Sequence, residues 1–234
     1  MYRVQKLLSK IGYCSRRSAE QLIVSGVIKI NNKVITIGDK WHKGDSLTIN
    51  NKEIDVSNAL SQVIEIIKYY KPLGEVVSRK DPHNTRTVFD NLPDIKGKWI
   101  NIGRLDLNTT GLLLFTNDGD LANKVMHPSS SFDREYIVKT DKPITQNSMN
   151  SLLLGVPINE NQVGKFNKII KNGKNIYRII LSTGKNREIR NSLKYVNLET
   201  LSLKRVKYSK IKLDDMIEGE FRYLTKKEKT TFLI

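Results

Sequence analysis

Ile102-Gly103-Arg104-Leu105-Asp106-Leu107-Asn108-Thr109-Thr110-Gly111-Leu112-Leu113-Leu114-Phe115 is the stretch on which the reading of this 234-residue chain turns. An acid with an arginine two positions before it is followed by a polar turn and then by a dense apolar run. The run belongs in the core, so it presses the preceding loop against the core and holds Asp106 in a fixed place. Strand alternation puts residues i and i+2 on one face, which points Arg104 the same way as Asp106. Two readings fit these residues. Asp106 either closes an Asx-type turn ahead of a core element or is a positioned, reactive carboxylate.

The remaining composition narrows the chemistry open to that carboxylate. Lys and Arg number 40 against 24 Asp and Glu, a formal charge of +16, and such a field draws in polyanions. The excess lies at the ends. Residues 1–52 carry 10 basic and 3 acidic side chains, residues 53–164 carry 12 and 14, and residues 165–234 carry 18 and 7. A near-neutral working centre therefore lies between two flanks suited to gripping phosphate. No G-x-x-x-x-G-K-[ST] occurs, and no G-x-G-x-x-G follows a strand. His42, His83 and His127 are far apart in sequence, and none lies in a ligand-spaced pair. The single Cys14 excludes a disulfide framework or zinc cluster and reads as a small buried thiol in a reducing cytosol. No cofactor and no metal are expected, which leaves carboxylates, arginines and aromatics to do the work. No apolar run approaches the ~20 residues that span a bilayer. The opening MYRVQKLLSKIGYCS is too charged for a secretory signal, so no membrane partner and a cytoplasmic location are expected.

Outward from the central stretch, the chain opens on a small domain. Val4, Leu7, Leu8 and Ile11 fall on one face of a short helix that Gly12 stops. Ser15 is the N-cap of a second helix burying Ala19, Leu22 and Ile23. VIKINNKVI around Asn31-Asn32 predicts a hairpin, and Lys43-Gly44-Asp45 turns the chain into SLTIN. Arg16 and Arg17 occupy the first turn of the second helix, where the macrodipole disfavours cations. They are either a tolerated surface pair or, with free backbone N–H groups, a phosphate contact. Residues 51–61 lack a sustained period and read as a linker. VIEIIKYY (63–70) predicts a strand, Lys71-Pro72-Leu73-Gly74 a turn, EVVSR its partner strand, and 81–93 a loop with one helical turn.

The segment Arg3-Val4-Gln5-Lys6-Leu7-Leu8, Gly12-Tyr13-Cys14-Ser15-Arg16-Arg17-Ser18-Ala19-Glu20 and Gly26-Val27-Ile28-Lys29-Ile30-Asn31 resembles an S4 RNA-binding domain over residues 1–50. Gly103-Arg104-Leu105-Asp106 through Thr116-Asn117-Asp118-Gly119 resembles the signature of RNA pseudouridine synthases. Arg134-Glu135-Tyr136-Ile137-Val138, Thr183-Gly184-Lys185-Asn186-Arg187-Glu188-Ile189-Arg190 and Gly219-Glu220-Phe221-Arg222-Tyr223-Leu224 continue the match in order. The likeness is to the ribosomal branch of that family, whose A type modifies small-subunit RNA and whose B and F types modify large-subunit RNA. Tyr69-Tyr70-Lys71-Pro72, Gly74-Glu75 and the motif from Asp81-Pro82 to Leu92-Pro93 look closest to the B type.

The resemblance implies an α+β fold. A small S4-like domain (1–50) and the linker (51–61) precede a catalytic domain (62–234) with a mixed, largely antiparallel sheet. It implies isomerisation of uridine in ribosomal RNA, in a large-subunit stem-loop, by a monomer without cofactor or protein partner. Small-subunit RNA, or a non-catalytic assembly factor on the same fold, are the alternatives. The implied catalytic residues are Asp106, as nucleophile or base, Tyr136 as platform for the flipped base, and Arg190 as counter-charge to Asp106. Arg104, Ile189, Arg187, Arg16 and Arg17 are the implied substrate contacts. The chain departs from the pattern at Asn191, where a second arginine is usual, and at Asn197 and Ser209, where glycine is usual. Asn tolerates a left-handed backbone better than most residues.

Overall fold

The computed structural model describes the chain apart from residues 62, 80, 82–85, 96 and 233–234, and the side chains of 58 and 59. Pro82 and His83, both used in the sequence reading, lie outside the described residues. Two compact units result. One holds Met1–Ile64 with Asp94–Trp99 and Asn117–Gly119, and the other holds Glu65–Pro93, Ile100–Thr116 and Asp120–Ile234.

In the first unit the chain runs β1 (Tyr2–Arg3), α1 (Val4–Lys10), α2 (Arg16–Val24), β2 (Ile28–Ile30), β3 (Lys33–Val34), β4 (Lys40–Trp41), β5 (Leu47–Ile49), β6 (Lys52–Glu53) and α3 (Val56–Leu60). The helical period is realised as read: Val4, Leu7, Leu8 and Ala19 are fully buried in one core with Ile28, Trp41 and Leu47. Ser15 Oγ accepts from the Ser18 N–H at 3.0 Å and so caps α2. The β2–β3 hairpin turns through Asn31 and Asn32 at φ 48° and 64°, the left-handed pair that such tight hairpins require. Segment 51–61, read as a linker, adds β6 to β5 and buries Val56 in this same core. Its apolar residues are too few to show a period, yet three-dimensional packing recruits them.

The second unit is built on one sheet. Its strands are β7 (Ile66–Lys71), β8 (Ile100–Ile102), β9 (Thr110–Thr116), β10 (Arg134–Thr140), β13 (Lys168–Gly173), β14 (Ile176–Leu181), β15 (Thr200–Tyr208), β16 (Ile211–Lys212) and β17 (Phe221–Tyr223). The order is β13-β14-β10-β15-β9-β7-β17, with β16 on β15 and β8 on β9. Among these pairs β15·β9 is parallel and the rest antiparallel, so the sheet is mixed and largely antiparallel. Helices α4 (Gly119–Met126), α5 (Gln146–Leu154), α6 (Glu188–Tyr195) and α7 (Lys226–Lys229) and the hairpin β11 (Val156–Asn159)–β12 (Gln162–Gly164) complete the unit. The apolar run is the central strand β9: Leu112, Leu113, Leu114 and Phe115 are all fully buried. A strand covered on both faces reads as a continuous apolar stretch, and each such side chain stabilises the fold by about 1.5–3 kcal/mol.

The expected partner strand at Glu75–Arg79 does not form. Val76 makes only an isolated bridge to Thr87, and β7 pairs instead with β9 and β17. Gly111 shows why β9 begins as it does. Its φ is 104°, and a Cβ there would sit 2.2 Å from the Arg205 carbonyl oxygen of β15, so only glycine allows the parallel strand to approach. Among the described residues no helix is long and apolar enough to cross a membrane.

Candidate active site

Between β8 and β9 residues 103–109 form a loop rather than the extended strand that alternation assumed. The Thr109 N–H donates to the Asp106 carbonyl at 3.0 Å and closes a turn. The Gly74 N–H donates to the Leu107 carbonyl at 3.1 Å. Leu105 is buried and anchors the loop, while Asp106 is half-buried and Arg104 exposed. The two side chains do share an environment, but through this loop and not through a pleat.

That environment is a cavity of about 840 Å³ lying wholly within the second unit and lined by Asp106, Tyr136, Arg190, Arg104, Ile189 and Arg187 among others. Six of the eight residues implied from sequence are thus gathered. Arg16 and Arg17 belong to the other unit, where both are exposed at the start of α2. Tyr136 arrives from β10, is 8% exposed, and stands just past a break in register between Glu135 and Tyr136 against β15. Such bulges re-aim a side chain near a functional site. Ile189 and Arg190 come from the first turn of α6, whose preceding residue Arg187 has the left-handed φ of 50°. Buried Glu188 fixes that entry: its carboxylate accepts from Thr183 Oγ1 at 2.7 Å and from the Lys185 N–H at 3.0 Å.

Arg190 is held by the reactive loop's backbone. Its guanidinium donates to the Asn108 carbonyl at 2.6 Å and the Thr200 carbonyl at 3.4 Å, and its buried Nε has no partner among the described residues. Burial and the nearby Arg187 push its pKa down, and the Asp106 carboxylate opposes them. Arg190 is thus bonded to the backbone of the loop that carries Asp106 rather than to the Asp106 carboxylate itself.

Residues 65–195, more than half of the chain and including Asp106, Tyr136 and Arg190, match the family model described as RNA pseudouridylate synthase. The chain belongs to that family. Residues 3–47 match the S4 domain model. The chain is 38% identical over 218 residues to ribosomal large subunit pseudouridine synthase B of Vibrio cholerae, covering 91% of this chain and 68% of that protein. It is 38% identical over 233 residues to the protein of the same name from Pseudomonas aeruginosa, covering 97% and 60%. With that of Salmonella typhi it shares 37% over 217 residues, covering 90% and 75%. The chain therefore spans about 60–75% of the length of these relatives. A crystal structure described as a pseudouridylate synthase superposes with a TM-score of 0.72 at 22% identity, covering both chains completely, and so shares the fold.

Within this family member, two buried cations next to the Asp106 loop and the strand that follows it escaped the sequence reading. Lys71 ends β7, is fully buried, and donates to the carbonyls of Pro72 at 2.9 Å, Thr109 at 2.9 Å and Leu107 at 3.4 Å. Burial pushes its pKa down to about 8, against the pull of the Glu75, Asp106 and Glu218 carboxylates. Lys71 and Arg190 together thus bind three consecutive carbonyls of the Asp106 loop, from Leu107 to Thr109. Arg205 is the second: it is 2% exposed and donates from Nε to the Leu112 carbonyl at 2.7 Å. The available signal was a lysine closing an apolar strand directly before Pro-Leu-Gly, where a turn makes exposure the default expectation. At two of the departures, Asn197 and Ser209 adopt φ of 59° and 53°, so both keep the left-handed backbone that the usual glycine supplies.

Proposed function

We propose that the chain converts a specific uridine of large-subunit ribosomal RNA to pseudouridine, with the second unit catalysing and the first gripping phosphates. Its functional division runs through a binding module (1–50), whose core the following segment (51–61) completes, and a catalytic domain (62–234). The observation carrying this reading is one cavity that gathers Asp106, Tyr136 and Arg190. Its volume lies within the range of sites that enclose a small molecule, enough for a nucleoside turned out of its stack. In this reading the N1–C1′ bond breaks, the base rotates, and C5 bonds to C1′. Asp106 works at the ribose or the base, as nucleophile or as base. Tyr136 offers the aromatic face on which the flipped uracil stacks, and Ile189 closes on the base from the other side. Arg190, bonded to the loop that carries Asp106, places a positive charge near its carboxylate. Arg104 and Arg187 contact the backbone of the flipped nucleotide, and Arg16 and Arg17 bind phosphate farther along the RNA. The protein acts in the cytoplasm as a monomer, without cofactor or metal.

The test is a pseudouridine map of unmodified large- and small-subunit ribosomal RNA after incubation with purified protein and no added metal. One new site in large-subunit RNA, absent with Asp106→Asn, is the expected result. A site in small-subunit RNA keeps the chemistry and overturns the target. Tight binding with no site in either RNA overturns catalysis in favour of an assembly factor.

A further inference from the structure

Arg205 sits where a simple structural brace is a poor explanation. It stands directly opposite Tyr136 in the β10·β15 ladder and lines the same cavity. Its neighbour on the other side, across the parallel pair, is Gly111, which brings no side chain. The guanidinium is fixed by the Nε bond to Leu112 and by the Tyr208 ring, whose centroid lies 5.5 Å away. Tyr208 is itself held: Arg134 Nη2 donates to its hydroxyl at 3.1 Å, and that hydroxyl donates to the Val125 carbonyl at 3.3 Å. Yet Arg205 Nη2 is buried and has no partner among the described residues. A buried donor left unpaired costs about 1–3 kcal/mol, more when charged, whereas an apolar side chain of similar volume would fill the space without that cost. A rigid, buried guanidinium that keeps one nitrogen unpaired beside Tyr136 calls for an acceptor that arrives with the substrate.

Building on the proposed uridine isomerisation, we infer that Arg205 is a further catalytic residue, donating to a uracil carbonyl oxygen and stabilising the base while it is detached. A base stacked on Tyr136 puts its edge toward the side chain that pairs with Tyr136 on the neighbouring strand, about 5 Å away. The acceptors on the edge of uracil are O2 and O4. Phosphates meet the exposed cations Arg104 and Arg187 instead. When the N1–C1′ bond breaks, its electron pair leaves with the base and spreads over N1, O2 and O4. The positioned guanidinium meets that developing charge where no water competes, the arrangement in which a donor contributes most. The pair is returned when C5 bonds to C1′. C5 then loses its proton and N1 takes one up, so the product is an isomer and nothing is consumed.

The experiment measures single-turnover rates at saturating RNA, using the ribosomal stem-loop mapped for the wild type. The target position carries uridine, 2-thiouridine or 4-thiouridine, because sulfur is the weaker acceptor. Wild type is expected to slow by about 10-fold or more on one thio substrate. Arg205→Gln is expected to lose about 10²-fold on uridine, the scale of removing one such donor, with RNA affinity within about 3-fold. That variant should no longer distinguish the thio substrate, and Arg205→Lys should fall between the two. Equal wild-type rates on all three RNAs overturn the inference without any variant. So does an Arg205→Gln or Arg205→Lys protein that is slow yet keeps the full thio penalty, which marks a brace. A wild type inactive on every ribosomal RNA defeats the proposed function instead, so the two failures are distinct.

Discussion

Arg16 and Arg17 stand exposed on the first turn of α2 in one unit, whereas Lys71 and Arg205 in the other are 0% and 2% exposed. The exposed pair has water and counterions around it and no carboxylate in the first turn of its helix. In the proposed function this pair meets a phosphate that displaces those counterions. The buried set is already bonded to protein: Lys71 and Arg190 to carbonyls 107–109, Arg205 to the carbonyl of Leu112. The difference teaches that positive charge in this chain has two separate uses. At the surface it is proposed to supply affinity for RNA. In the interior Lys71 and Arg190 tie down the loop that carries Asp106, and Arg205 ties β15 to the strand that follows it.

The sharpest way to break that division is to remove the group the buried cations surround. Asp106→Asn should lower pseudouridine formation by at least about 10³-fold, the scale of deleting a reacting group. RNA affinity should stay within about 3-fold in a filter-binding titration. A large loss of affinity would mean that Asp106 grips RNA rather than reacts.

Removing a buried cation comes next. Lys71→Met should lower turnover at saturating RNA by about 10–10²-fold, because a slight misplacement of a reacting group costs that much, while KM changes little. The folded lysine releases its proton at about 8, while an unfolded one holds it to about 10.4. Between these values the unfolded state binds more protons, so this group's contribution to stability rises with pH. Activity should move the other way and fall through pH 8 as the Asp106 loop loses a charge and a donor. A pH–rate profile with no step near 8, or one unchanged in Lys71→Met, would remove Lys71 from the mechanism.

Changes at the surface should be milder and of another kind. Arg16→Ala and Arg17→Ala should each reduce the slope of log affinity against log salt by about 1 and raise KM, leaving saturated turnover intact. A fall in saturated turnover would erase the distinction between the two sets of cations. Point variants are preferable to truncation here, because Val56 belongs to the core of the first unit. Smallest of all, Ser15→Ala removes the α2 cap and should destabilise that unit by about 1 kcal/mol. Thermal unfolding would report it, with turnover unaffected.

The first two helices of the first unit were legible because each period of apolar residues is local: Val4, Leu7 and Leu8 meet within two turns, whereas α3 lay in the segment read as a linker. The central run was legible as core because four consecutive apolar side chains leave no polar face, but that it is a strand came from its pairing with β7, β8 and β15. The strand expected at Glu75–Arg79 failed for the opposite reason. Pairing is decided by which segments come together, and β7 found β9 and β17, roughly 45 and 154 residues farther along the chain. Lys71 was hidden because a charged residue next to a turn is usually solvated, and only burial under the Asp106 loop reveals it.

By itself, then, the sequence determined the residue types of the site, their order in motifs and the charge that selects a polyanion, since all are properties of covalent chemistry. Only the tertiary structure decided that Asp106, Tyr136, Arg190 and Arg205 share one cavity. They come from a loop, two strands and a helix, and the parallel approach of β15 to Gly111 that helps to join them is a packing event between segments nearly a hundred residues apart.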